Sequence, residues 1–283
     1  MILAGLISRF QSKAPGSGWC GTLLVVACLA SGCATRPPAP PPVPFDGPHA
    51  WQASLDIARE QWEAFGRQIV AYRTDAHGNE IQLIDPTGYT EDDRPVYDNM
   101  VAYWAVTGES DFDSWADCFA GWQRKCPWHL PWSAAFISWV MVEAGMPADR
   151  FRPHENHWTY VREIVVRAGD PEAAFLPEPV DRYRPQPGDL ICKTRGGAET
   201  PTFDALLADP DGPGAFLPMH CDLVIENGGS ALIPNGFIEA IGGNVANSVS
   251  RSLIPSREGY LIPGRAGRWF VVLRNIYGAP PTV

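Results

Sequence analysis

Pro185-Gln186-Pro187-Gly188-Asp189-Leu190-Ile191-Cys192 marks the point at which the chain changes character. Two prolines and a glycine punctuate the backbone, and the apolar run behind them is short and bounded like a strand. Three runs of the same kind follow: Cys221-Asp222-Leu223-Val224-Ile225, Phe237-Ile238-Glu239-Ala240-Ile241 and Trp269-Phe270-Val271-Val272-Leu273. Upstream the pattern is helical. Leu55, Ile57, Ala58, Trp62, Phe65, Ile69 and Val70 recur at helical spacing and predict a helix over 51–73. Further helices are predicted over 97–106, stopped by Gly108; over 132–144, ended by Gly145 with Pro147 beyond; and over 157–168, followed by Gly169. Helices first and strands later predict an α+β fold with an antiparallel sheet, not a βαβ wind. Residues 196–218, rich in Gly, Pro and Asp, form a connection long enough to be a lid, a binding loop or an insertion.

Composition narrows the function classes. The 283 residues carry 22 Lys and Arg against 32 Asp and Glu, a formal charge of −10. Dispersed cations on an acidic chain build no face for phosphates, so no nucleic-acid partner is expected. With 45% hydrophobic and 19% charged residues the balance is globular. No stretch of about 20 apolar residues predicts a spanning helix.

The N-terminus predicts an address. Arg9 and Lys13 precede an apolar stretch over 21–30, which runs into Leu29-Ala30-Ser31-Gly32-Cys33. A positive region, a short apolar region and small residues before a cleavage point form the secretion pattern. A Cys directly after small residues resembles a bacterial lipobox, with Ala30 standing where leucine is commonest. That resemblance implies lipidation at Cys33, a membrane anchor, and a periplasm-facing lipoprotein of the cell envelope, at the outer membrane. Residues 1–32 hold two cations and no acids, so the mature chain carries 20 cations against 32 acids, −12. Six prolines in Pro37-Pro38-Ala39-Pro40-Pro41-Pro42-Val43-Pro44 follow. In polyproline II this segment spans roughly 25 Å and would hold a folded domain off its anchor. The expected organisation is a signal peptide over 1–32, an anchor and tether over 33–48, a helical N-terminal subdomain over 49–110 and an α+β domain over 111–278.

Four segments carry the chemistry in order. Trp132-Ser133-Ala134-Ala135-Phe136-Ile137-Ser138-Trp139-Val140 opens a helix, Gly188-Asp189 opens a strand, His220 begins the next strand, and Ile241-Gly242-Gly243-Asn244-Val245 ends another. Over residues 95–275 this order resembles the papain-like amidohydrolases of bacterial cell-wall turnover, the CHAP and NlpC-type group. More narrowly, it resembles bacterial domain-of-unknown-function family 2272. The resemblance implies a papain-like α+β fold, helical N-terminal part against an antiparallel sheet, and hydrolysis of amide bonds in peptidoglycan peptides. It places the nucleophile at Ser133, the general base at His220 and the orienting residue at Asn244, with Glu239 as an alternative. A helix N-terminus supplies free N–H groups and a favourable dipole, and a third residue sets the histidine tautomer.

One departure matters. The group's nucleophile is cysteine, whose free pKa near 8.5 lets an imidazole ionise it. A serine hydroxyl is far less acidic, and serine is also a favoured helix cap. Two readings of Ser133 therefore stand: nucleophile, or cap in a catalytically degenerate peptidoglycan-binding or scaffolding lipoprotein. A serine esterase is a third idea, without a Gly-x-Ser-x-Gly elbow to support it.

Cys118, Cys126, Cys192 and Cys221 remain in the mature body, and four cysteines permit three pairings. An even number in an exported chain points to disulfides. Cys118 and Cys126 close a short loop, and the resemblance implies that the strands of Cys192 and Cys221 are neighbours; those two bridges are expected. No Cys-x-x-Cys or His-Glu-x-x-His spacing is present, so no metal and no cofactor is expected. Trp128, Trp132 and His129 are the candidates for a substrate cleft, although His129 also reads as a loop histidine bonded to backbone. His154 and His157, opening the fourth helix, read as first-turn surface residues or as groove residues. Asp189 reads as a tie at the strand entrance, not as an acid.

Overall fold

The computed structural model describes residues 50–75, 80–121, 124–214, 216–229, 236–262 and 268–277. The signal peptide, the Cys33 anchor and the proline-rich tether fall outside the described residues. Among the described residues no helix is long and apolar enough to cross a membrane.

Helix α1 (Ala50–Ala64) stops earlier than its apolar spacing predicts. Gly66 lies in the left-handed region, its N–H bonds Glu63 O, and the Arg67 N–H reaches back to Trp62 O. This paired pattern closes a helix through a glycine. Ile69 and Val70 then belong to β1 (Ile69–Thr74), a strand paired antiparallel with β2 (Glu80–Asp85) and parallel with β7 (Ser248–Arg257). The stretch 49–110 is therefore not a separate helical subdomain, because its hairpin is hydrogen-bonded into the main sheet.

Helices α2 (Tyr97–Ala105), α4 (Ser133–Glu143) and α5 (His157–Val166) fall where the periodicity places them. A short α3 (Trp115–Cys118) sits between the first two. The strands are β3 (Phe175–Glu178), β4 (Leu190–Thr194), β5 (Met219–Asn227), β6 (Phe237–Val245), β7, β8 (Tyr260–Leu261) and β9 (Trp269–Asn275). They form one mixed sheet in the order β2-β1-β7-β6-β5-β4-β9-β3, with β8 paired to β7. Every pairing is antiparallel except β1 with β7. The expected α+β class with a mostly antiparallel sheet is what the chain adopts. The 196–218 connection contains a helix, α6 (Phe203–Ala208), capped by the Thr202 side chain.

Side chains alternate along the central strands, so two cores form. Leu190, Cys192, Cys221 and Leu223 face the helices, while Ile191 and Val224 belong to a second cluster with Tyr72, Ile254 and Trp269. Cys192 and Cys221 are register partners on β4 and β5 and are joined by a disulfide; Cys118 and Cys126 form the other. Asp189 ties down the head of β4: its carboxylate accepts from Tyr183 Oη (3.0 Å), Gln186 N (2.7 Å) and Asn275 N (2.8 Å).

Helix α4 is apolar nearly all round because it is enclosed nearly all round: eight of its residues are buried. It lies against β6 where that strand has no side chains. A Cβ on Gly243 would stand 2.5 Å from Phe136 Cβ and 2.7 Å from Trp132 Cζ3. The Gly243→Ala variant is expected to lose about 1–3 kcal/mol by overpacking, read as a lower urea midpoint with an unchanged slope.

Burial pushes the Asp189 carboxyl up to about 6 in spite of its three donors. The folded value exceeds the unfolded one of about 3.9, so the folded state binds the extra proton. This contribution to stability is complete below about pH 4 and is lost as pH rises through 6, on the order of 3 kcal/mol. Urea titrations between these values should show that slope, and Asp189→Asn should flatten it.

Candidate functional site

Ser133 is the first residue of α4, and Trp132 occupies the cap position without a side-chain cap bond. The Ser133 hydroxyl is not used as a cap. Its Oγ lies 2.7 Å from Nε2 of His157, the first residue of α5. Two devices set that meeting. Ser138, one and a half turns along α4, donates its hydroxyl to His154 O (2.9 Å) and accepts from His154 N (2.9 Å). Asn156 then caps α5, its Oδ1 accepting from Thr159 N (3.0 Å) and Thr159 Oγ1 (2.8 Å).

His157 is held from its other side as well. Its Nδ1 meets the Tyr160 hydroxyl one turn along α5. A neutral imidazole that accepts at Nε2 carries its proton on Nδ1, so Nδ1–H donates to Tyr160 Oη. The His220 ring stands edge-on to His157, with centroids 5.5 Å apart. Beyond it, His220 Nε2 is 2.7 Å from Asp222 Oδ1, at an angle outside hydrogen-bond geometry. Asp222 Oδ2 accepts from Ser252 Oγ at 3.4 Å. Gly242 makes room for this carboxylate: a Cβ there would stand 1.7 Å from Asp222 Oδ1. The four residues are 2%, 4%, 3% and 0% exposed for Ser133, His157, His220 and Asp222, so the line of polar groups runs into the protein interior.

Burial sets the charges. It pushes the His157 imidazole well below its ordinary value, with the His220 and Arg195 charges adding to the effect. Burial also lowers His220, against the pull of Asp222. Asp222 is raised by burial, but His220 and Lys193 outweigh this and its carboxyl ends below the usual range. At neutral pH the site therefore holds two neutral imidazoles and one carboxylate. A neutral His157 facing a hydroxyl is in the state required of a proton acceptor.

Ser133 and His157 line a cavity of about 380 Å³, together with Trp104, Leu130, Leu217, Met219 and Arg195. Leu217 and Arg195 belong to the long connection after β4 and its return, so that segment forms part of the wall.

The expected trio is rearranged. Ser133 and His220 do enter one cluster, but His157 stands between them, and neither ring nitrogen of His220 is hydrogen-bonded among the described residues. Asn244 does not orient His220; it is a left-handed residue at the β6–β7 turn, with φ 55°. Glu239 is engaged by Arg251 across the sheet. Trp132 does not line the cavity: it is fully buried, stacks between Phe65 and Tyr103, and donates from Nε1 to Glu91 (2.7 Å). Trp128 packs on Tyr97 and Phe119 beside the Cys118–Cys126 bridge, and His129 bonds Arg124 O (3.1 Å). None of these three is on the cavity wall. Asp222 was legible in principle, since residues two apart on a strand share a face and His220-Cys221-Asp222 has that spacing. Among the described residues no group of three or more His, Cys, Asp or Glu is arranged to hold a metal ion.

Fold and site together define an α+β protein with a buried serine–histidine pair at the wall of a cavity. The chain belongs to DUF2272, a family of uncharacterized proteins conserved in bacteria, whose model matches residues 91–274. No curated protein and no solved structure matches it.

The charge assignment has a readout. Folded values below the unfolded one of about 6.5 mean that the folded state binds fewer protons at these imidazoles. Their contribution to stability is complete above about 6.5 and is lost as pH falls through the folded midpoints. In an NMR titration His157 and His220 should both titrate below the ordinary range, His157 furthest.

Proposed function

We propose that this protein is an envelope-anchored lipoprotein that hydrolyses amide bonds in peptidoglycan peptides, with Ser133 as nucleophile and His157, not His220, as general base. The observation that carries the chemistry is the 2.7 Å approach of Ser133 Oγ to His157 Nε2 at a cavity wall. The ordered motifs that resemble the papain-like cell-wall amidohydrolases support the substrate class, and the pattern ending at Cys33 supports the location.

The chemistry follows from the geometry. His157 Nε2 takes the Ser133 proton as Oγ bonds the acyl carbon. The resulting oxyanion is met by the first-turn N–H groups of α4, which have no partners within the helix. Nε2–H then protonates the leaving nitrogen as the C–N bond breaks, and a water repeats the sequence to release the acid. Tyr160 is a positioning residue, holding the His157 proton on Nδ1. Asp222, ionised behind His220, provides the negative charge that favours transient imidazolium.

Serine in place of cysteine favours one competing reading, a protein that binds sacculi without cutting them. Incubation with murein sacculi separates the two. Hydrolysis predicts soluble fragments, a fall of about 10³-fold or more in their release for Ser133→Ala and for His157→Ala, and fluorophosphonate labelling at Ser133 alone. Sedimentation with sacculi, without fragments or labelling, would sink hydrolysis, and recovery of cleavage in Ser133→Cys would identify a degenerate thiol-type site.

A further inference from the structure

We propose that Arg195 anchors a carboxylate of the substrate, so that the cavity selects peptides bearing a free carboxylate near the group that Ser133 attacks; this rests on the hydrolytic reading of the same site.

Arg195 directly follows β4, whose position against β5 is locked by the Cys192–Cys221 bridge. Its N–H bonds Pro218 O at 2.8 Å, which seats it beside Leu217 and Met219 on the cavity wall. Arg150, Arg162, Arg167, Arg251 and Arg274 each pair with a carboxylate. Arg195 makes no ion pair and no side-chain hydrogen bond among the described residues, in a chain where 32 acids outnumber 22 cations. Arg73, Arg152 and Arg257 also lack an ion pair and a side-chain hydrogen bond among the described residues, but of these Arg195 is the one that lines the cavity holding Ser133. Glu155 lines the same cavity and does not pair with it. The guanidinium's planar fork of donors is thus left open on a wall that also holds the nucleophile, and its charge is felt at both His157 and His220. A carboxylate is the anion that accepts two parallel N–H bonds from such a fork. Arg195 is exposed, so an incoming carboxylate can reach its fork, and Trp104, Leu130, Leu217 and Met219 supply apolar surface in the same cavity.

The test uses the full chain carrying Ser133→Ala, so that binding is read without turnover. Acetyl-Ala-Ala-Ala with a free C-terminal carboxylate and the same peptide as its C-terminal amide are titrated by calorimetry. The acid should bind about tenfold or more tightly, a typical effect of a charged hydrogen-bond pair. Adding Arg195→Gln should bring the two peptides within about twofold, and Arg195→Lys should retain an intermediate preference because it keeps the charge and loses the fork. Equal affinity for the two peptides, no measurable binding of the acid at millimolar concentration, or a preference that survives Arg195→Gln would overturn the proposal. Persistence of the preference in a protein whose wild-type chain cuts nothing overturns the hydrolytic reading and leaves the carboxylate site standing.

Discussion

The packing of α4 into the sheet is the constraint on which everything else depends. Phe136 and Trp132 lie so close to β6 that only glycine fits at position 243, and a second glycine at 242 admits the Asp222 carboxylate. A helix seated this deeply cannot choose the direction of its first turn. Ser133 is delivered to a fixed point, and the Ser138–His154 clasp brings the next helix to meet it. The aromatic stack of Phe65, Trp132 and Tyr103 completes the seat from the helical side. Trp132 thus serves the site by holding the helix, not by touching a ligand.

A polar line buried this deeply is expensive. A buried group without a hydrogen-bond partner costs about 1–3 kcal/mol, and His220 Nδ1 is in that position among the described residues. An apolar replacement of the same shape would serve the fold better, which is why unsatisfied polar groups concentrate at sites retained for other reasons. The arrangement is economical in one respect. Two neutral imidazoles in line with a single carboxylate keep the charge of this line to one, and that charge has Ser252 and His220 beside it.

Much of the fold was legible because its signals are local. Helices α2, α4 and α5 announce themselves by apolar spacing and a terminating glycine, and β4, β5, β6 and β9 by apolar runs between breakers. β7 lacks such a run. β7 buries Ser248, Ser250, Ser252 and Ser256, so its inward face reads as polar although Gln68, Asp222 and backbone carbonyls satisfy three of those serines. β1 reads in the sequence as the end of α1, because Ile69 and Val70 continue the helical spacing across Gly66. Only the hydrogen bonds that close α1 at that glycine show the break.

The α+β class, the tie at Asp189 and the presence of Ser133 at a helix start were readable in the chain alone, whereas the pairing of Cys192 with Cys221 is fixed by the register of β4 on β5. The first three rest on spacing within one element or between adjacent ones. Only the tertiary structure decided which histidine meets that serine. His157 and Ser133 are 24 residues apart, and nothing in either local pattern aims one at the other. Their meeting is set by how two helices are seated on one sheet, α4 on β5 and β6 and α5 on β3 and β5. That seating is fixed by packing over many side chains at once, so it leaves no short motif to read.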